Sequence, residues 1–294
     1  MRMSLVNARP IPTLPRWAAA RGVLATAFLM LVASAAGAHE FWLTPTRYLL
    51  KAHAASDIGA VAGTGFRGET MPYSSLRCVR WTARTDRTLD LARVAGNGEM
   101  IWTRFAPADD RGALLAFEST FTPIELPAPE FNAYLKLEGL DGPLAARGQT
   151  AAPGRERYRR CAKTWLAGSD AVRATRPVGL PLEIVPQSSP GTTLSLRVRV
   201  LAEGRPLAGA LVRAWRTPLD ASGLPRDPAV RDSVGPAWQG RSDARGEAVV
   251  PVTNAGEWIV SCVRMVPCGD RAVADWESSW ASLTFVRPAS PKPR

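Results

Sequence analysis

Alternation of apolar and polar residues predicts short β-strands along much of the chain. The pattern is clearest in 194-LSLRVRV-200, where four aliphatic residues alternate with one serine and two arginines. Toward the N-terminus, apolar segments bounded by Gly, Pro, Asp or Thr recur at the spacing typical of a β-sandwich. We predict strands there at 48–53, 57–63, 77–83, 99–106 and 112–120.

Between Pro129 and Leu166 the spacing of apolar residues changes and favours helices. Two segments carry this pattern, 130–140 and 154–168. In the second, four apolar residues recur at i, i+3, i+4 and i+7 between charged flanks, which is typical of one face of a helix. These four are Tyr158, Cys161, Ala162 and Trp165. We predict two helices, inserted in or appended to a first β domain.

Strand patterns return near residue 180 and continue to residue 286. A hairpin is expected over 201–215, where Glu203-Gly204 supplies turn residues. A Pro-, Gly- and Asp-rich segment, 217–241, is expected to be a loop. The other strands are predicted at 180–186, 194–200, 247–252, 256–266 and 276–286. Strands joined by tight turns predict a second, smaller sandwich.

The patterns together predict a mainly β protein with two β-sandwich-like domains. The N-terminal β-rich domain covers 39–186 and has helices near 129–167. The C-terminal domain, 187–288, is expected to be an immunoglobulin- or transthyretin-like sandwich. Residues 1–38 precede the first domain as a targeting segment, and 289–294 form a tail.

The first 38 residues have the features of a secretory signal. They contain four arginines and no acidic residue, then an apolar run over Val23–Ala36, then the small-x-small sequence Ala36-Gly37-Ala38. The run is shorter than the roughly 20 residues that span a bilayer. The alternative is an uncleaved N-terminal anchor. We predict cleavage after Ala38 and a periplasmic protein that is at most peripheral to the membrane.

Composition and charge exclude several classes of protein. The 294 residues are 46% apolar and 21% charged, which is typical of a globular protein. Of 37 basic and 26 acidic residues, four arginines lie in the signal, so the remaining 256 residues carry a net charge of +7. The positive charge is scattered, with no lysine-rich run and no nucleic-acid-binding motif, so we predict no nucleic-acid partner.

Four cysteines lie in the exported part of the chain. An even number in an oxidising compartment favours disulfides, and three pairings are open. A local bridge between Cys262 and Cys268, which flank a predicted strand end, would leave Cys78 with Cys161. The alternative is four buried free thiols. Since there is no CxxC or Cys/His cluster, a redox or zinc role is not expected.

Only two histidines, His39 and His53, are available for chemistry. A three-histidine zinc site and an HExxH protease are therefore excluded. Cleavage after Ala38 would make His39 the first residue, whose α-amino group and imidazole could chelate nickel, cobalt or copper. His53 could add a second imidazole. Further candidate donors are Glu40, Glu69, Met71 and Met265. The alternative is that 39–43 simply begins the first strand.

Two other patterns carry weaker functional interpretations. Residues 63–68 match GxGxxG, but a dinucleotide site needs a helix immediately afterwards, and 69-ETMPYSS-75 predicts a turn. We therefore interpret these glycines as a loop. Asp275 and Glu277 lie on either side of Trp276 and could line a ligand pocket. A tryptophan-rich strand that packs in the core, with its acids at the surface, is the alternative.

Seven segments together resemble one protein family. They are 38-AHEFWLTP-45, 63-GTGFRGE-69, 131-FNAYLKLEGL-140, 156-ERYRRCAKTWL-166, 179-GLPLEIVP-186, 205-RPLAGALVRAW-215 and 275-DWESSWASLTF-285. In this combination the chain resembles the NikM-like family of periplasmic proteins, which is linked to nickel and cobalt uptake. The resemblance implies a β-rich exported protein with a transthyretin- or carboxypeptidase-regulatory-like C-terminal sandwich.

The resemblance carries one site residue over and shows two departures. His39 matches the family's histidine after the signal. Members often have histidine in the glycine loop, where this chain has Thr64, and another before the methionine of the penultimate strand, where this chain has Arg264 before Met265. If those histidines complete a metal site elsewhere, this chain has lost them.

We therefore expect a non-enzymatic periplasmic binding or accessory protein linked to nickel or cobalt uptake. Its partner would be a membrane metal transporter or another envelope protein. The alternative is a structural or interaction module of the cell envelope that binds no metal. An enzyme is not expected, because the sequence has no nucleophile elbow, no paired-carboxylate motif and no usable histidine relay.

Overall fold

The strand pattern of the sequence reappears in the folded chain. The computed structural model describes residues 40–227 and 234–289. Within these ranges the chain is mainly β, with several sheets in an open, sandwich-like arrangement, which confirms the predicted fold class. In chain order the strands are β1 Glu40–Pro45, β2 Ser56–Thr64, β3 Arg67–Thr70, β4 Cys78–Arg84, β5 Thr88–Asp90, β6 Thr103–Phe105, β7 Ala113–Ser119, β8 Thr122–Leu126, β9 Gly154–Leu166, β10 Leu182–Pro186, β11 Ser195–Ala202, β12 Arg205–Pro206, β13 Leu211–Thr217, β14 Trp238–Arg241, β15 Glu247–Pro251, β16 Gly256–Pro267 and β17 Trp276–Arg287.

Short helices interrupt the strands. They are α1 Ala128–Leu137, α2 Asp141–Arg147 and α3 Ala171–Thr175, and a 3₁₀ turn covers Ser75–Arg77. Pro129 lies in the first turn of α1, where its missing N–H removes no helical hydrogen bond. In the described part of the chain, no helix has both the length and the apolar character that crossing a membrane requires.

Three sheets build the described residues. The largest has nine strands. Eight of them follow the order β14-β13-β16-β17-β9-β7-β4-β5, and the ninth, β8, pairs with the first part of β9 on the same edge as β7. β17 and β9 are parallel, whereas the other neighbouring pairs in this sheet are antiparallel. One small sheet is β1-β2-β3 with β6 on β2, and another is β10-β11-β12 with β15 on β11.

The nine-stranded sheet is covered on both faces. One face packs against the β10-β11-β12-β15 sheet, and we call the apolar cluster between them the β11-side core. The opposite face packs against the β1-β2-β3-β6 sheet, and this second cluster is the β1-side core. Helix α1 covers the remaining part of the β1-side face through Phe131, Tyr134 and Leu135, which pack with Trp276 and Trp280, and Leu144 of α2 packs against the same cluster.

The predicted helix at 154–168 is wrong, because this segment forms β9 in the middle of the large sheet. Cys161 and Trp165 lie in the β11-side core, whereas Ala162 and Leu166 lie in the β1-side core. A strand that is buried on both faces has apolar residues at nearly every position, and such a run also satisfies the helical spacing. The first predicted helix is confirmed as α1, and α2 follows it.

Three further local predictions differ from the structure. Residues 48–53 form no ladder strand: Leu49 makes a single bridge to Ala167, and a turn follows, in which the amide of Ala54 donates to the carbonyl of Lys51. The strand predicted at 99–106 is shorter, β6. The predicted loop 217–241 contains β14 at its end, paired with β13.

Hydrogen bonding is continuous across the predicted domain boundary at 186/187. β10 precedes the boundary and pairs with β11 after it. In the large sheet, β9 from the first predicted domain pairs with β17 from the second. The described residues belong to one compact unit, and the domain limits themselves stay a prediction. The signal segment 1–38 lies outside the described residues.

Candidate functional site

The predicted metal ligand His39 immediately precedes β1 in the sequence. His39 is outside the described residues, and Glu40 is the first residue of the strand. β1 pairs antiparallel with β2 so that Glu40 faces Gly63, which places the start of β1 beside the β2–β3 turn.

Glu40 is a buried acidic residue, only 5% exposed. Burial raises the pKa of Glu40 to about 7, and the nearby Glu138 carboxylate adds to this, while Thr64 and Arg213 act in the opposite direction. Arg213 itself donates to Glu138 at 2.6 Å. Burial and the neighbouring carboxylate thus outweigh the positive charge near Glu40, so its negative charge is incompletely compensated at the start of β1.

The structure does not bring His53 to this place. His53 is exposed in a turn with φ of 60°, and its amide donates to the carbonyl of Pro107. β2 begins at Ser56, whereas Glu40 pairs with Gly63 near its other end. At about 3.3 Å per residue, these two ends of β2 are about 23 Å apart. His53 therefore lies near the opposite end of the ladder from Glu40.

The other predicted donors are dispersed. Glu69 is exposed on β3, Met71 follows that strand and is half-buried, and Met265 packs in the cluster under α1. Within the described residues no group of three or more His, Cys, Asp and Glu side chains could hold a metal ion. Of the predicted donors that are described, Glu40 is the one next to His39.

The predicted disulfide pairings are wrong, because all four cysteines are free. Cys268 follows β16 directly and is six residue steps beyond Cys262, about 20 Å of extended chain, whereas bridged Cα atoms lie within about 7 Å. Cys78 packs on the β1-side core and Cys161 in the β11-side core, on opposite faces of the large sheet. Burial raises the pKa of Cys161 to about 12.

Asp275 and Glu277 form ion pairs with arginines of β9. Arg155 donates to Asp275 at 2.9 Å and Arg157 to Glu277 at 2.6 Å. The parallel register of β9 and β17 sets Glu277 opposite Arg157. Trp276 packs in the cluster under α1, as the alternative interpretation of this segment expected.

The GxGxxG segment is a tight β-hairpin. Thr64 pairs with Arg67 across the two-residue turn Gly65-Phe66, and both turn residues have positive φ, 59° and 70°. This is the geometry of a type I′ hairpin turn. Gly63 and Gly68 pair directly across the strands. The loop interpretation is confirmed in this form, and the helix that a dinucleotide site needs is absent from 69–75.

A cavity of about 80 Å³ lies beside Arg160, and we call it the arginine–aromatic cavity. Arg160 is a β9 residue whose backbone N–H donates to the hydroxyl of Ser119. Its guanidinium carbon lies 4.8 Å from the ring centroid of Phe41 and 5.4 Å from that of Tyr158. The cavity lining also includes Trp102, Phe117, Met71, Arg77, Ser74 and Thr122.

Sequence reasoning missed this cavity. Its residues come from β1, from the segment between β3 and β4, from the residue before β6, and from β7, β8 and β9. Only the folded sheets bring these segments together. The helix predicted for 154–168 also assigned Arg160 to a charged helix flank. The run of apolar residues at both odd and even positions of 161–166 could have indicated a central strand, because a strand turns successive residues to opposite faces of its sheet.

One protein family matches most of this chain. A family model described as "Domain of unknown function (DUF4198)" matches residues 36–265. A search of curated proteins finds no match. Among solved structures, the chain is similar to the "D0-D1 domain of Intimin" at 12% sequence identity and a TM-score of 0.19, covering 84% of this chain and 97% of that one.

Proposed function

The chain belongs to the DUF4198 family, a domain of unknown function, and from this premise we propose that it is an exported, non-catalytic protein of the cell envelope that binds a transition-metal ion at its processed N-terminus. The finer kinship, with the NikM-like proteins linked to nickel and cobalt uptake, is part of the proposal. It draws support from the seven segments of sequence similarity.

The observation that carries the proposal is the buried Glu40 beside His39. Removal of 38 residues would give His39 a free α-amino group next to its imidazole, which makes two nitrogen donors on one residue. Glu40 would add a carboxylate whose charge is incompletely compensated by its surroundings. A divalent cation would neutralise that carboxylate, so the donors fit nickel, cobalt or copper.

The residues of this chain would bind and orient the ion and would do no further chemistry on it. β1 fixes the direction of Glu40 through its ladder with β2, and Arg213 holds Glu138 nearby. The metal is cargo in this proposal. A membrane metal transporter or another envelope protein would receive it in the periplasm.

Calorimetric titration of the authentically processed protein with nickel, cobalt and copper tests the proposal. We expect saturable binding of one ion, lost in His39→Ala and retained in the matched control His53→Ala. Absence of saturable binding, or binding that His39→Ala leaves unchanged, would contradict it. That result would favour the alternative, an envelope interaction module without a metal.

A further inference from the structure

A cavity of about 400 Å³ lies where the β4–β5 hairpin meets α3, and we call it the arginine pocket. Four arginines, two aspartates, two threonines and a valine line it, so its lining carries a net charge of +2. These residues are Arg84, Arg87, Arg173, Arg176, Asp86, Asp170, Thr85, Thr88 and Val172. Small-molecule sites commonly have volumes of about 300–1,000 Å³, so the pocket is large enough for a small ligand.

The two aspartates of the arginine pocket already have partners. Asp86 accepts a hydrogen bond from Nη2 of Arg173 at 2.8 Å and another from Arg111, which lies outside the lining. Asp170 accepts the backbone N–H of Val172 at 3.0 Å, and its carboxylate lies 3.8 Å from Nε of Arg173. These carboxylates therefore compensate Arg173 and Arg111.

The other three arginines of the pocket have no carboxylate partner in the described part of the chain. Arg87 and Arg176 are exposed, and their side chains make no hydrogen bond or ion pair with the described residues. Arg84 uses Nη1 to donate to the carbonyl of Pro177 at 2.7 Å. Because Arg87 and Arg176 are exposed, a ligand in the pocket can reach their guanidinium groups.

The β4–β5 hairpin fixes the backbone of two of these arginines. Arg84 is the last residue of β4 and pairs with Thr88 of β5. The backbone N–H of Thr85 donates to the carbonyl of Arg87 at 2.9 Å within the turn. Arg84 and Arg87 are therefore anchored at one wall of the pocket.

Hydrogen bonds also fix the backbone that follows Arg176. Arg84 and Arg80 donate to the successive carbonyls of 177–179 at 2.7 to 2.9 Å. Glu183 accepts the backbone N–H groups of 178–180 at 2.8 to 3.3 Å. A site whose backbone is held before the ligand arrives loses less conformational entropy on binding.

We propose that the arginine pocket binds the dianionic phosphate group of a phosphate monoester. Arg87 and Arg176 would donate to its oxygens, with the free nitrogens of Arg84 as further donors. Guanidinium groups bind phosphate through charge-assisted, often bidentate hydrogen bonds. A phosphate monoester carries a charge of about −1.5 to −2 at pH 7, which matches the lining, whereas a monocarboxylate would leave one positive charge without compensation. The site does not depend on the metal proposed at His39.

Titration of glucose 6-phosphate with the protein, followed by ³¹P NMR, tests the proposal. We expect a saturable shift of the phosphorus resonance. The double variant Arg87→Gln/Arg176→Gln should weaken binding about tenfold or more, because two charged donors are lost from exposed positions that the fold does not need. Arg47→Gln/Arg205→Gln is the matched control. It removes the same charge from two exposed arginines outside the pocket and should leave the affinity nearly unchanged.

Competitors separate phosphate recognition from general attraction of anions. Inorganic phosphate should displace glucose 6-phosphate, whereas glucose and acetate, at matched ionic strength, should not. Failure of glucose 6-phosphate to bind would overturn the proposal unless the vesicles described next bind through the same arginines. Displacement by acetate as effective as by phosphate, or an equal loss of affinity in the two double variants, would also overturn it.

Free esters and lipid headgroups share this phosphate chemistry, and vesicles distinguish them. Cosedimentation with phosphatidylcholine vesicles that contain phosphatidic acid, lost in Arg87→Gln/Arg176→Gln and kept in the matched control, would assign a lipid headgroup. Binding of glucose 6-phosphate without cosedimentation would assign a free ester. Binding of neither probe, or binding of both that the pocket variant leaves unchanged, would contradict the proposal.

Discussion

Lys163 and Glu183 form an ion pair that is buried between the large sheet and β10. Both side chains are almost completely buried, and the ammonium donates to the carboxylate at 2.7 Å. Glu183 also accepts backbone N–H groups from the 178–180 segment, at 2.8 to 3.3 Å. The carboxylate is therefore held by several donors, whereas the ammonium has Glu183 as its charged partner.

We predict that Lys163→Met and Glu183→Met destabilise the protein to different extents. Removing one partner of a buried pair typically costs about 3–5 kcal/mol. The stability loss in Glu183→Met should lie at the upper end of this range, because the change leaves a buried ammonium and several backbone amides without their acceptor. Lys163→Met should cost less, because Glu183 keeps its backbone donors. Chemical denaturation measures both, and a larger loss in Lys163→Met would contradict this account.

Glu156 is a second buried carboxylate, and it has no cation partner among the contacts described. Tyr134 donates to it at 3.2 Å and the hydroxyl of Ser278 also contacts it. Burial raises the pKa of Glu156 to about 7 from 4.5, although both hydrogen bonds act against this. The folded state therefore binds the proton of Glu156 more tightly than the unfolded state does.

We predict that Glu156 makes stability fall as the pH rises from about 4.5 to about 7. Its favourable contribution is complete below the unfolded pKa and is lost as the pH passes the folded pKa. The free energy of unfolding of Glu156→Gln, measured relative to that of wild type, should therefore rise by about 3 kcal/mol between pH 4 and pH 8. Urea denaturation across this range measures the difference. Glu99→Gln, a change at an exposed residue, is the control and should keep a constant difference from wild type. A constant difference for Glu156→Gln as well would contradict this account.

At the scale of single residues, the sequence revealed chemistry but little of its geometry. Two histidines and four cysteines were countable, and the His39-Glu40 dipeptide was visible as a candidate ligand pair. The burial of Glu156 was not visible, and neither was the packing of the Arg160 guanidinium over the ring of Phe41, because charged residues in a sequence are ordinarily read as solvent-exposed. Their environments depend on β9 being the centre of a sheet.

At the scale of elements, sequence reasoning succeeded where one face of a strand is exposed. β11 alternates between buried aliphatic residues and exposed polar ones, and it was predicted closely. The turn Glu203-Gly204 was also identified, and its residues have positive φ. β9 was mistaken for a helix because both of its faces are buried. Long-range pairing of β9 with β17, 120 residues away, leaves no local signal.

The β2–β3 hairpin depends on two facing glycines. A Cβ placed on Gly68 would collide with the carbonyl oxygen of Ala62 and would approach the Cα of Gly63 to 2.8 Å, closer than real contacts allow. We predict that Gly68→Ala destabilises the protein by about 1–3 kcal/mol through overpacking. Gly142→Ala in α2, where nothing lies within 4 Å, should be neutral or stabilising. Equal thermal denaturation temperatures for the two variants would refute the close hairpin pairing.

The positions of the cysteines on their strands also give a prediction. Cys161 on β9 and Cys262 on β16 both pair with Ala281 on β17, which lies between them, and they are therefore two strand spacings, about 10 Å, apart. That separation is too large for a disulfide. We expect alkylation of the denatured, unreduced protein to modify four thiols, as measured by intact mass. Modification of two or none would show a pairing that these strands do not allow.

At the scale of the whole molecule, a central sheet organises the described chain. The nine-stranded sheet of the described residues has an apolar core on each face, and its strands come from both halves of the sequence. Local patterns predicted two sandwiches but not that they would share a sheet. Sharing a sheet explains how the cavity beside Arg160 can be assembled from segments as far apart as β1 and β9.

The N-terminal end of β1 connects this architecture to the proposed function. β1 is paired along its whole length with β2, so Glu40 is held firmly where the exported chain would begin. In this account, removal of the signal creates the metal ligand, and the unprocessed chain lacks it. Metal affinity should therefore depend on the chemical state of the N-terminus as well as on the His39 side chain.

The nickel affinity of processed protein with a free or an acetylated α-amino group tests this claim most directly. Competition against a chromophoric chelator measures both dissociation constants under the same conditions. The account predicts that acetylation, which removes one nitrogen donor and leaves the fold intact, weakens nickel binding about tenfold or more. Equal affinities, or no measurable binding by the free-amine form, would contradict it.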